Sequence, residues 1–409
     1  MANWAELNQD LLILIAKRVR FLEDFSTFGR VCRSWRSVAV KKNFKGSQQV
    51  PWLMLTEDTN DEKTGNKVAN YRCFVSAADG NLIGRLTLPE AKGMQCFESL
   101  GWFVTLSETG DMNLLHPISR VQIPLPHISA LENDEVNANR PFKKRYFSRI
   151  YKVVLSSRPS PSPEDNYALM VIYNKRSMGS MGTLGLWKPG KKAWTAITTR
   201  GCSAMDITYY KGQFYAVTDG VGSILIFDVW GSDHPTFVGK KRIPNLNGLG
   251  KCLYIVESEG ELFIIVQYYT YRTGERVGRS KANGVNINDD EPRVGGTEKF
   301  RVYKVDLSNS ALAELQSLGD NTLFVGFNGS ISVQASNSSK GIRPNCIYYV
   351  DFCWIGGTAL FSKVGRRVVD AGIYNMYDRS MAPWYDRSVA PWNEGGSFSW
   401  ICLPLWVKL

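Results

Sequence analysis

Three features predict a mainly β protein with a small all-α module at its amino terminus. Apolar residues recur at helical steps in the first forty positions, strand-and-turn texture begins at Pro51, and strand groups recur at intervals of roughly 40 to 50 residues. Residues 1–45 read as the helical module and residues 50–409 as a β-propeller of about six irregular blades. A pair of β-sandwiches is the alternative architecture.

The helical module has two halves. Glu6 to Val19 carries Leu7, Leu11, Ile15 and Val19 at steps of four, with Leu12 and Leu14 widening the stripe. Phe21 to Ala39 places Phe25, Phe28, Cys32, Trp35 and Ala39 on one face of a helix, opposite Arg30, Arg33, Arg36 and Ser37. A unit below about 40 residues rarely encloses enough interior to stand alone. That apolar face therefore has to be covered, by the rest of the chain or by another protein.

Residues 40–50, basic and polar, read as the junction. Beyond it the strands are short. Pro51 to Leu55 is a compact apolar run, and Tyr71 to Val75 with Leu82 to Leu88 forms a hairpin about Asp79-Gly80. Cys96 to Leu106 reads as one strand paired with Met112 to Leu115, and Pro117 to Pro126 follows. Tyr151 to Leu155, Tyr167 to Tyr173, Leu184 to Trp187 and Ala193 to Ile197 make the next group, with a loop near 156–165. Met205 to Tyr210, Gln213 to Thr218 and Ser223 to Val229 are three strands in a row. Phe214 to Thr218 and Ile224 to Val229 are apolar at odd and even positions alike, the pattern of a sheet covered on both faces.

Cys252 to Glu257 pairs with Leu262 to Tyr271. A mobile loop is expected near 272–298, and Phe300 to Leu307 resumes the sheet. Ala313 to Gln316, Thr322 to Phe327, Ser330 to Gln334, Cys346 to Phe352 and Trp400 to Val407 are the remaining strands. A tandem copy, Tyr377 to Trp384 then Tyr385 to Trp392, reads as a tolerant loop.

Bulk properties narrow the class. The net charge is +11, with basic clusters at Arg140 to Lys152 and Arg272 to Lys281, both read as solvated loops rather than a nucleic-acid site. The eight cysteines include no Cys-x-x-Cys pair, and the longest apolar runs, Leu11 to Ala16 and Leu262 to Val266, fall far short of a membrane span. The expectation is free thiols in the nucleus, the cytoplasm or both, with no membrane partner.

No catalytic, metal or cofactor site emerges. His116, His127 and His234 each neighbour a proline and lack metal-ligand spacing. Gly179, Gly182 and Gly185, and Gly248-Leu-Gly250-Lys251, fit no phosphate-binding pattern. Asp206, Asp219, Asp228, Asp306 and Asp351 stand at strand ends, where carboxylates mostly cap turns. A carboxylate pair assembled in a propeller channel would make the chain an enzyme instead. Tyr268, Tyr269, Tyr271 and Arg272 read as strand side chains running into a loop rather than a base-stacking platform.

The wording of the first module then adds a resemblance. Trp4, Leu7, Asp10-Leu11-Leu12, Ile15, Asp24, Phe28, Val31-Cys32 and Trp35-Arg36 resemble an F-box, with Asn8 where that family usually has proline. Further segments are similar to the C-terminal domain of a plant F-box family with a KIB-type propeller. They are Lys152 to Ser157, Leu186-Trp187 with Trp194, Met205 to Ile207 with Gly212 to Ala216, Val256 to Gly260, Leu318 to Asp320 with Leu323-Phe324, and Asn345 to Tyr348. The family's acidic pair after the last of these is here Val350-Asp351-Phe352.

The resemblance implies a non-catalytic substrate receptor of an SCF-type E3 ubiquitin ligase. Leu7, Leu11, Ile15, Phe28, Val31, Cys32 and Trp35 would bury against a Skp-type adaptor of a cullin–RING ligase, while the propeller holds a target protein. An F-box adaptor acting outside ubiquitin transfer is the related alternative.

Overall fold

The computed structural model describes residues 4–19, 25, 28–43, 50–55, 71–78, 80, 82–131, 150–159, 166–174, 182–197, 199, 202–219, 222–231, 235–243, 251–272, 293–308, 311–326, 328–336, 341–351, 370–383 and 405–407.

In the amino-terminal module, α1 (Gln9–Arg18) starts where Asn8 Oδ1 accepts the Asp10 N–H at 2.9 Å. Asparagine thus supplies by capping what proline supplies by its fixed φ. Lys17 and Arg18 close the helix where its dipole favours cations. The second half is not one helix. Phe25 and Phe28 are helical, Gly29 N–H still bonds Phe25 O at 3.1 Å, and Val31 N–H tightens onto Phe28 O. Cys32 is then extended (φ −160°, ψ 178°) and starts α2 (Arg33–Val38) as its N-cap. The break rotates the later residues, so the five apolar positions do not share one helical face.

The strands form six sheets among the described residues. Blade one holds β1 (Trp52–Met54), β2 (Tyr71–Ser76) and β3 (Leu82–Thr87). Blade two holds β4 (Gln95–Ser99), β5 (Trp102–Leu106), β6 (Met112–Leu115) and β7 (Gln122–Leu125). Blade three holds β8 (Ile150–Leu155), β9 (Leu169–Tyr173), β10 (Thr183–Trp187) and β11 (Thr195–Ile197). Blade four holds β12 (Ala204–Tyr210), β13 (Gln213–Thr218), β14 (Ser223–Asp228) and β15 (Thr236–Arg242). Blade five holds β16 (Lys251–Ser258), β17 (Glu261–Arg272), β18 (Arg293–Val305) and β19 (Leu312–Leu315). Blade six holds β20 (Asn321–Gly326), β21 (Ser330–Gln334), β22 (Cys346–Asp351), β23 (Asp370–Asn375) and β24 (Met381–Ala382). Finally β25 (Leu405–Val407) pairs antiparallel with β1 and becomes the inner strand of blade one.

The inner strands close a ring. β25 lies against β4, β4 against β8, β8 against β12, β12 against β16 and β16 against β21, and β20 returns to β25. An apolar cluster fills each of the six gaps between neighbouring blades. That explains strands such as β4, β5 and β9, which are buried at every position: a blade has no solvent face near the axis.

Several expectations change. The Cys96 to Leu106 run is two strands, because Leu100 (φ 54°) and Gly101 (φ 84°) make a tight turn and Glu98 Oε1 accepts the Gly101 N–H at 2.8 Å. The sheet extends into the loop expected near 272–298, since β17 reaches Arg272 and β18 begins at Arg293; residues 273–292 lie outside the described residues. The loop expected near 156–165 is irregular over Ser156 to Pro159, and its remainder is likewise outside them. β15, β23 and β24 are strands that alternation alone did not reveal, and β20 pairs parallel with β22, so blade six contains a crossover. The first tandem copy forms the turn into β24; the second lies outside the described residues.

The two ends of the ring are distinct. At the leading face, where β8, β12, β16 and β21 begin, Ser330 meets Asp206 and Lys152. At the trailing face, Tyr210 donates to Gly260 O at 2.6 Å and Ser258 meets Ser332. A Cβ added at Gly341, between β21 and β22, would lie 2.7 Å from the Ala78 Cβ, which places the end of β2 at the trailing face. Trp52 is the register partner of Ser76, so β1, the first strand after the helical module, begins there.

Candidate protein-binding surface

The helical module closes a small core of its own. Leu12, Ala16, Phe25, Phe28 and Val38 are buried, and Leu7, Ile15 and Trp35 pack against them half-buried. The Trp35 ring lies 4.5 Å from the Phe28 ring, and its Nε1–H donates to Trp4 O at 3.0 Å. Phe28, expected to face a partner, is therefore turned inward. Leu11 (49% exposed) and Val31 (57%) stay outside, as does Leu14 (53%). Cys32 is half-buried at the helix break. α1 is apolar at every position from Leu11 to Ala16, so spacing alone did not show which side its neighbours cover. The Leu12–Ala16 edge is covered and the Leu11–Leu14 side is not.

A second polar feature sits on the propeller axis. Lys152 of β8 and Asp206 of β12 form a buried ion pair. Asp206 Oδ2 also accepts the Ile255 N–H at 2.9 Å and the Ser330 hydroxyl at 3.0 Å, and Oδ1 accepts the Ile207 N–H at 2.7 Å. This group links blades three, four, five and six and leaves the carboxylate no free lone pair for a substrate.

The other sequence candidates have local duties. Asp228 accepts the Trp230 N–H and Asp306 the Ser308 N–H and hydroxyl as turn caps, while Asp219 accepts the Ser203 N–H across the β12–β13 pair. His116 Nδ1 accepts the Ser119 N–H, and His127 bridges Ser129 and Thr109 O. Gly182 (φ +62°) has no room for a side chain, because a Cβ there would stand 2.2 Å from Ala204 O. His234, Gly179, Gly248 to Gly250 and the Asp351 side chain lie outside the described residues. Among the described residues no three His, Cys, Asp or Glu side chains cluster as metal ligands, and no helix is long and apolar enough to cross a membrane.

Comparison with known proteins agrees with this architecture. The F-box protein SKIP23 of Arabidopsis thaliana is 26% identical over 368 residues, covering 85% of this chain and 82% of that protein. From the same organism, the F-box protein At2g26160 is 25% identical over 367 residues (85% and 96%), and the F-box protein KIB2 is 26% identical over 361 residues (83% and 70%). Residues 74–375 match the KIB1-4 β-propeller, across all six blades, and the chain belongs to that family.

Proposed function

We propose that the chain is the substrate-recognition subunit of an SCF-type ubiquitin ligase, bridging a Skp-type adaptor and a target protein without catalysing a step itself. The observation that carries this reading is that Leu11, Leu14 and Val31 stay exposed on a module whose own core is already closed. Its relatives bear the name F-box protein. Fully burying an exposed aliphatic side chain against a partner contributes about 1.5–3 kcal/mol. The propeller holds the target, and proximity raises the effective concentration of a target lysine near a ubiquitin thioester carried elsewhere in the assembly. The free thiols among the described residues, including buried Cys96 and Cys346, suit work in the nucleus or cytoplasm.

The test is co-purification of the tagged full chain with a Skp-type adaptor and a cullin. Recovery of both supports the reading. Adaptor without cullin points to an F-box adaptor acting outside ubiquitin transfer, and recovery of neither overturns the proposal.

A further inference from the structure

Blade five carries a cationic row on the leading face. Lys251 opens β16, Tyr268 is its register partner on β17, and Lys299 is the register partner of Tyr268 on β18. Side chains at matched register share a sheet face, and this one is turned toward blade four, where Tyr268 packs against the core between the two blades. Arg301, two residues beyond Lys299, points to the same side. Lys251 Nζ stands 5.8 Å, Lys299 Nζ 5.3 Å and Arg301 Cζ 5.9 Å from the centre of the Tyr268 ring.

Among the described residues, two carboxylates touch this group. Glu298 lies 2.9 Å from Lys299 Nζ, and Glu314 lies 3.7 Å from Arg301 Nε. All four of these side chains are 38–46% exposed, so both pairs are weak and exchangeable. Burial holds the Lys251 pKa below the usual lysine value. β1, which follows the helical module, begins at the opposite, trailing face.

We propose that this row is where the propeller engages its target, and that it recognises a carboxylate-rich extended segment of that protein. The inference rests on the reading of the chain as a substrate receptor. A protein segment fits better than nucleic acid. Single-stranded nucleic acid needs successive stacking platforms along a basic groove, whereas here one ring serves three cations and two glutamates interrupt the positive surface. Placing the target on the leading face also separates it from the end at which β1 begins.

The experiment measures fluorescence anisotropy of a labelled twelve-residue Glu/Gly peptide with the purified full chain. Three proteins are compared: the wild type, Lys299→Glu with Arg301→Glu, and, as a control on the β10–β11 turn, Lys191→Glu with Lys192→Glu. Thermal melts report folding, and Lys299→Ala with Arg301→Ala is the milder pair if the charge reversal melts early. Adaptor binding is measured on the same samples. The proposal expects saturable peptide binding that weakens with salt. It also expects a loss of about tenfold or more in the blade-five variant, none in the control, and unchanged adaptor binding in both. No binding at about 100 μM protein, equal loss in both variants, or tighter binding of a single-stranded RNA twelve-mer with the same dependence overturns it. Adaptor binding that fails in the wild type while the peptide still binds counts against the receptor reading, not against the site.

Discussion

Asp206 holds more of the molecule together than any other described carboxylate. Its oxygens take the buried Lys152 ammonium, the Ile207 and Ile255 N–H groups and the hydroxyl of half-buried Ser330. Removing one member of a buried pair leaves a desolvated charge without compensation, at about 3–5 kcal/mol. Asp206→Ala should therefore lower unfolding stability by about that much in urea titrations, and Lys152→Met with Asp206→Leu should recover part of the loss. Trp35 calls for similar care. It packs on Phe28 and bonds Trp4 O, so Trp35→Ala loosens the module itself and confuses folding with binding. Leu11 and Val31 touch less, which makes Leu11→Asp and Val31→Asp cleaner probes: helical circular dichroism should stay unchanged in both. A cap is testable too. Asn8→Ala should cost about 1 kcal/mol, read as earlier melting of the amino-terminal helix.

At the scale of elements, closure depends on three residues at the far end of the chain. β25 supplies the inner strand of blade one, and Trp406 is buried with its Nε1–H on Val325 O at 3.1 Å. Trp406→Ala should cost about 3–5 kcal/mol, measured by chemical denaturation, and truncation before Leu405 should yield a protein that aggregates or is digested quickly. Gly182→Ala should destabilise by more than about 2 kcal/mol, because both the left-handed backbone and Ala204 O exclude the methyl group. Strands buried on both faces, such as β13 and β14, were legible as continuous apolar runs. β15 was not, since its alternation of exposed and half-buried positions comes with Gly239 and three cations in place of large apolar residues. The Leu100-Gly101 turn was hidden because leucine seldom takes positive φ, and the helix break at Cys32 because its dihedral angles, not its residue type, end the helix.

For the whole molecule, six apolar gaps between neighbouring blades close the ring. Strand texture and spacing pointed to a propeller of about six blades and left a pair of β-sandwiches open, because the repeat is irregular. The orientation of the candidate surface was not legible, because Leu11 to Ala16 is apolar all round and only the packed neighbours reveal which side remains open. The cationic row was equally hidden: Lys251, Tyr268 and Lys299 are distant in sequence and meet only through strand register. The central claim is that the open side of the amino-terminal module is a docking surface for a second protein. Isothermal titration of the full chain with a Skp-type adaptor, for the wild type and for the Leu11→Asp, Val31→Asp double variant, tests it most directly. The account predicts a one-to-one complex that weakens at least about a hundredfold in the folded double variant; equal affinity in the two proteins would contradict it.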